Sequence, residues 1–166
     1  MQASDELLTI AELAIGFAGF SGVVAAFTHR TGLSETDRYL FIILFTVALL
    51  AVFASFVPFG FHYLGSAGPA LWFGSSVVTL IAGVVIGAVL GVAAPASLRA
   101  AKLPGFLNGA VVTLGLPLMI FACHVFNIVG WPTESGPLLY VAGLLLWLLI
   151  AGANFLRLVL YRSPQE

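Results

Sequence analysis

Glu12, His62, His124 and Asn127 stand out because each lies in an apolar stretch of a chain that has few other polar residues. An ionised side chain at the centre of a bilayer costs about 2.5 kcal/mol or more, and it normally faces a partner or water. Glu12 falls five residues beyond the apolar start at Leu7, roughly 8 Å along a helix, which keeps it short of the midplane. A carboxylate beside an imidazole selects one tautomer of the ring, and such groups relay protons or hold a cation. Asn127 shares a helical face with His124 and adds a donor and an acceptor. The same four side chains also suit a hydrogen-bonded network that only fixes helix packing.

Other chemistry has less behind it. His62 and His124 have the form of two axial haem ligands on separate helices, but no paired histidines on one helix accompany them. Glu12, His62 and His124 form a possible three-ligand metal set with no local spacing motif. The expectation adopted is therefore no metal and no cofactor. No Gly-Lys phosphate loop, no HExxH and no nucleophile elbow occurs, so no enzyme activity is expected. The single cysteine, Cys123, excludes an intrachain disulfide and reads as a packing residue. No basic run or stacking platform points to nucleic acid.

The elements that must position these residues are written for lipid. Hydrophobic residues make up 61% of the 166, charged residues 8%, and the mean hydropathy is +1.12, which a soluble domain's surface does not allow. A span takes about 20 apolar residues, and five of them use nearly the whole chain. The sequence predicts an all-α bundle of transmembrane helices over 5–28, 35–64, 69–94, 104–129 and 137–161, forming one domain over 1–166. Ser4 is the expected first cap, followed by Asp5 and Glu6 at the positive end of the helix dipole. Those acids, in place of a basic region, predict a retained helix rather than a cleaved leader. Ser34 to Asp37 has the form of a capping box. Pro58 should kink the second helix and free a backbone carbonyl. Residues 65–69 form a tight turn, and Pro69, Pro104 and Pro137 suit first helical positions.

Orientation follows from charge. Arg30, Arg38, Arg99, Lys102, Arg157 and Arg162 all fall in or beside every second gap between apolar stretches. Cytoplasmic connections collect Lys and Arg, so the amino terminus is expected outside and the carboxyl terminus inside. Tyr63, Trp72, Trp131 and Tyr140 then gather at the outer interface, with Tyr39 and Tyr161 at the inner one. This orientation puts Glu12, His62, His124 and Asn127 at similar depth in the outer half. So complete a bias also argues against insertion both ways, and any oligomer should be parallel, which is compatible with cyclic symmetry about the membrane normal.

Small residues mark the faces expected to pack. On the first helix Ala11, Glu12, Gly16, Gly19, Gly22 and Ala26 lie opposite Leu13, Phe17, Phe20, Val24 and Phe27, and the small side is expected to face protein. On the third, Thr79, Gly83, Gly87 and Gly91 follow at four-residue spacing. Close backbone approach drives helix association in lipid, which makes the first and third helices the expected centre. Asn108 and Asn154 should bond between helices, and His29 should meet headgroups at the membrane edge.

The run from Ala11 to Val24, AELAIGFAGFSGVV, followed by Arg30 and by Ser34-Glu35-Thr36-Asp37-Arg38, resembles a recurrent group of small uncharacterised bacterial membrane proteins. The similarity covers about the first quarter of the chain and includes a proline late in the second span, here Pro58. It implies a bacterial inner membrane and carries no functional residue with it.

The expected function is a small channel or transporter component with a protonatable outer site, completed by a homo-oligomer because five helices enclose little space. The alternative is a non-catalytic accessory subunit of a larger membrane complex, in which the polar groups are packing devices. A haem- or metal-binding membrane protein is the third reading.

Overall fold

The computed structural model describes residues 3–28, 34–94, 114–130 and 135–160. They form five helices and no strand: α1 (Ser4–Thr28), α2 (Glu35–Tyr63), α3 (Gly68–Ala93), α4 (Leu116–Val129) and α5 (Gly136–Leu160). His29, Arg30, Arg99, Lys102, Asn108, Trp131, Tyr161 and Arg162 lie outside the described residues, as does 104–113 of the expected fourth helix.

Local chemistry sets the helix limits. Ser34 caps α2, its hydroxyl oxygen accepting from the Asp37 amide at 3.1 Å, which satisfies one of the orphan donors of the first turn. Ser4 does not take that part in α1. The carbonyl of Ala3 accepts the first bond, from the Leu7 amide, so Ser4 stands one place inside the helix. Pro69 lies in the first turn of α3, where its missing N–H is not needed. Gly130 ends α4 in the left-handed region at φ 72°, the glycine stop that releases a helix into a loop. At its other end α4 is entered through a wide, π-type turn at Leu114 and Gly115. Such turns relieve a helix where proline, here Pro117, breaks the regular ladder.

The centre of the bundle is made by α2 and α5. α5 packs against each of the other helices and α2 against α1, α3 and α5, whereas α1 touches only those two extensively. Half of the apolar window of α5 is buried, against 17% for α3. The expectation that α1 and α3 are central is thus corrected. α1 meets the bundle through Leu7, Ile10, Ala11, Ala14, Ala18 and Ser21, an i, i+3, i+4 stripe whose alanines already let backbones approach. Gly16, Gly19 and Gly22 are exposed, and a Cβ added to any of them meets nothing within 4 Å. In α3 Thr79 and Gly83 are buried but Gly87 and Gly91 are exposed. The glycine ridge is therefore used at its first half only.

Side-chain contacts give the relative directions. Phe20 of α1 meets Phe155 of α5 with ring centroids 5.4 Å apart, late in both helices, so these two run together. The Tyr39 hydroxyl, early in α2, donates to the Leu90 carbonyl, late in α3, so those two run opposite ways. Core packing is mostly aliphatic, with Leu7, Leu44, Ala51, Leu71, Leu144 and Ala151 all nearly inaccessible.

Candidate functional site

The polar interior lies where the later part of α2, the first half of α3, the end of α4 and the start of α5 meet. Its hub is Tyr140, fully buried. The Tyr140 hydroxyl donates to the Ala54 carbonyl at 2.7 Å. A phenol has one hydrogen to give, so the 2.7 Å contact between Thr79 Oγ1 and Tyr140 Oη is a bond donated by Thr79. Below this chain Asn127 uses both amide hydrogens, one to Ser76 Oγ at 3.1 Å and one to the Gly136 carbonyl at 2.9 Å. Four helices are joined by these few bonds. In a span the alternative for each group is hydrocarbon, which offers no partner.

His124 sits beside the hub without joining it. Its ring packs edge-on against Tyr140, centroids 5.4 Å apart, and it is 0% exposed. Neither Nδ1 nor Nε2 has a hydrogen-bond partner in the protein. Moving a polar group into an apolar medium without a hydrogen bond costs about 2–7 kcal/mol depending on the reference phase. A Cβ on Gly143 would stand 3.0 Å from His124 Nε2, so a larger residue there would have to push the ring a few tenths of an ångström away from α5. The indole Nε1 of Trp147 is likewise buried and unpartnered. Trp147 lies against α3 at Gly83, where an added Cβ would come to 2.8 Å from the indole ring.

These side chains border a cleft of about 310 Å³ between α3, α4 and α5, lined by Thr79, Leu80, Gly83, Phe121, His124 and Trp147 among others. None of the described lining residues is charged. Val84 and Phe121 form part of its rim and are 55% and 46% exposed on the flank of the bundle.

The four sequence candidates separate. His124 and Asn127 are interior residues of α4. Glu12 and His62 are exposed, and no hydrogen bond ties either to His124. The expectation that Glu12 turns toward protein with the small face of α1 is corrected, because the alanine stripe, not the glycine side, packs inward. His62 stands one residue before the end of α2 and Glu12 eight residues into α1. No group of three His, Cys, Asp or Glu side chains that could hold a metal exists among the described residues. His62 does not line the cleft, so it and His124 do not face a common space there. Asn154 satisfies itself within α5, donating to the Ile150 carbonyl at 2.9 Å and accepting from Arg157 at 3.3 Å, rather than bonding between helices.

Trp147 is not among the residues that the sequence singles out, while Tyr140 and Trp72, expected near the outer interface, are buried in the bundle close to the starts of their helices. A signal for Tyr140 was present in Pro58. A helical proline frees the carbonyl four residues before it, and that carbonyl, of Ala54, is the one Tyr140 meets. No comparable signal marked Trp147.

Four of the helices, α1, α2, α3 and α5, are long and apolar enough to cross a membrane, the mark of a membrane protein, and the described residues form an all-helical bundle with a polar cluster inside it. Comparison with protein-family models, curated proteins and solved structures finds no match.

Proposed function

We propose that this is a five-span protein of the bacterial inner membrane, amino terminus outside and carboxyl terminus inside, that serves as a small, non-enzymatic transport component. Its working group is His124 alone rather than a layer of Glu12, His62 and His124. The observation that supports this reading is a titratable imidazole, buried within a membrane bundle, with both nitrogens unpaired beside a cleft. Intramembrane ionisable side chains mark solute or proton paths more often than they serve packing. A packing role would have paired the ring, as it has paired Asn127. The cleft between the described parts of α3, α4 and α5 is small, so a parallel homo-oligomer supplies the rest of the wall.

Proteoliposomes test it. Wild-type protein should pass protons or a small solute, and His124→Asn should reduce the flux at least tenfold while Glu12→Gln leaves it unchanged. Equal flux in wild type and His124→Asn would remove the histidine from the mechanism.

A second reading, an accessory subunit of a larger membrane complex, has its own support in the exposed glycine side of α1. It expects no flux and a stable partner of different sequence. Recovery of homo-oligomers alone from native membranes would count against it.

A further inference from the structure

The chemistry of the cleft narrows what it can hold. Among the described residues its lining has no charged side chain, and an ion there would give up its hydration without a counter-charge. The occupant is therefore neutral. Apolar side chains form most of the wall, and the rings of Phe121, Trp147 and His124 offer faces and edges to a planar molecule. A volume of about 310 Å³ falls at the small end of the range for ligand sites, room for one or two fused rings. The rim at Val84 and Phe121 is exposed on the bundle's apolar flank, so such a molecule arrives through the bilayer rather than from water.

The polar requirement comes from the orphaned nitrogens. Indole N–H is a donor only, and a neutral imidazole has one donor and one acceptor nitrogen. Trp147 Nε1 and the protonated nitrogen of His124 both lack acceptors, and both residues border the same cleft. Thr79 gives its hydrogen to Tyr140, and Tyr140 gives its own to Ala54, so neither hydroxyl has a hydrogen to spare. What the site lacks is an oxygen acceptor on an apolar ring.

We infer that the cleft between α3, α4 and α5 binds a neutral, lipid-soluble ring carbonyl compound of the quinone class, its carbonyl oxygen accepting from Trp147 and His124. Both nitrogens are covered in the free protein, so binding includes rotamer changes that turn both rings toward the carbonyl. No electron transfer is involved in this step. The inference rests on the cleft's being the working site, but not on transport.

The test uses full-length protein in phosphatidylcholine nanodiscs, labelled with ¹⁵N-tryptophan and titrated with menadione, a two-ring quinone. The chain has 3 tryptophans, and the indole signal that disappears in Trp147→Phe identifies Trp147. That signal should move saturably with menadione, and His124→Phe should weaken binding about tenfold, the loss of one buried hydrogen bond. Val84→Trp, placed on the exposed rim, should abolish the saturable shift while leaving the polar network untouched, and it decides the matter if His124→Phe fails to fold. A Trp147 signal that does not move, or shifts that grow linearly and equally in wild type and Val84→Trp, would overturn the inference. Saturable binding without flux in liposomes would sink the transport reading and leave this one standing. Flux that depends on His124 without any menadione binding would do the reverse.

Discussion

Tyr140 satisfies the carbonyl that Pro58 orphans. Proline has no N–H to return to the carbonyl four residues earlier, here Ala54, and the Tyr140 hydroxyl donates to that oxygen at 2.7 Å. A break in the ladder of α2 thus becomes a bond between α2 and α5, and through Thr79 it extends to α3. The polar centre of the bundle starts from this exchange.

Tyr140→Phe should accordingly cost about 1–3 kcal/mol, since it leaves a buried carbonyl and the Thr79 hydroxyl without partners. In a Pro58→Ala background the restored amide can take the Ala54 carbonyl, and the same change should cost less than half as much. Equilibrium unfolding of the four proteins in mixed detergent, read as a double-mutant cycle, measures the coupling. Equal costs in the two backgrounds would show that Tyr140 and Pro58 act independently.

Gly143 holds space for His124. A Cβ there stands 3.0 Å from Nε2 and 3.3 Å from Cε1 of the imidazole, so Gly143→Ala must displace the ring or its helix, at about 1–3 kcal/mol of overpacking. Gly152→Ala is the matched control on the same helix, because its Cβ would meet Phe17 at an ordinary 3.6 Å. Thermal midpoints should fall for the first and stay near wild type for the second. A neutral Gly143→Ala would mean that the ring has room to move and is not wedged.

How much of this was legible from the sequence depends on what kind of signal each feature leaves. Helices are local: apolar length, the Ser34 cap and Pro69 put α2 and α3 within a residue of where they occur. Burial is not local. Alanine and glycine both make a smooth helix face, and composition does not say which side of α1 meets α2; the alanine stripe does, and Glu12 is carried outward with the glycines. Tyrosine is similarly ambiguous. It anchors at an interface or caps a buried polar chain, and only the partner decides, so Tyr63 is 91% exposed while Tyr140 is buried completely. His124 was legible as an intramembrane polar residue, but its neighbours Trp147 and Gly143 come from a stretch of α5, Val141 to Ala153, that reads as uniformly apolar.

The exposed glycines make a prediction about assembly. Gly19 has no atom within 4 Å of an added Cβ, so Gly19→Leu should leave the subunit folded. If the glycine side of α1 packs against a second copy, the same change should dissociate the oligomer, because a leucine there separates the backbones. Sedimentation in detergent should show wild type above monomer mass and Gly19→Leu at monomer mass. Gly83→Leu provides the contrast, since it runs into Trp147 at 2.8 Å and should reduce folding itself. An unchanged Gly19→Leu oligomer would move the interface away from α1.

Orientation can be fixed with one reporter at each end. The pairs Phe20 with Phe155, Tyr39 with Leu90 and Tyr140 with Ala54 tie the directions of α1, α2, α3 and α5 to one another, so the side reached by a single turn gives the side of all four. In a Cys123→Ala background, Ser66→Cys in the turn between α2 and α3 should react with a membrane-impermeant maleimide in intact cells. Lys102→Cys should react only after the cells are permeabilised, as the distribution of basic residues requires. The reverse pattern would turn the bundle over. The cleft and its unpaired nitrogens would survive that result unchanged, because they depend only on contacts among α3, α4 and α5. What would fall is their expected placement in the outer leaflet, and with it the side of the membrane from which the proposed transport role would use His124.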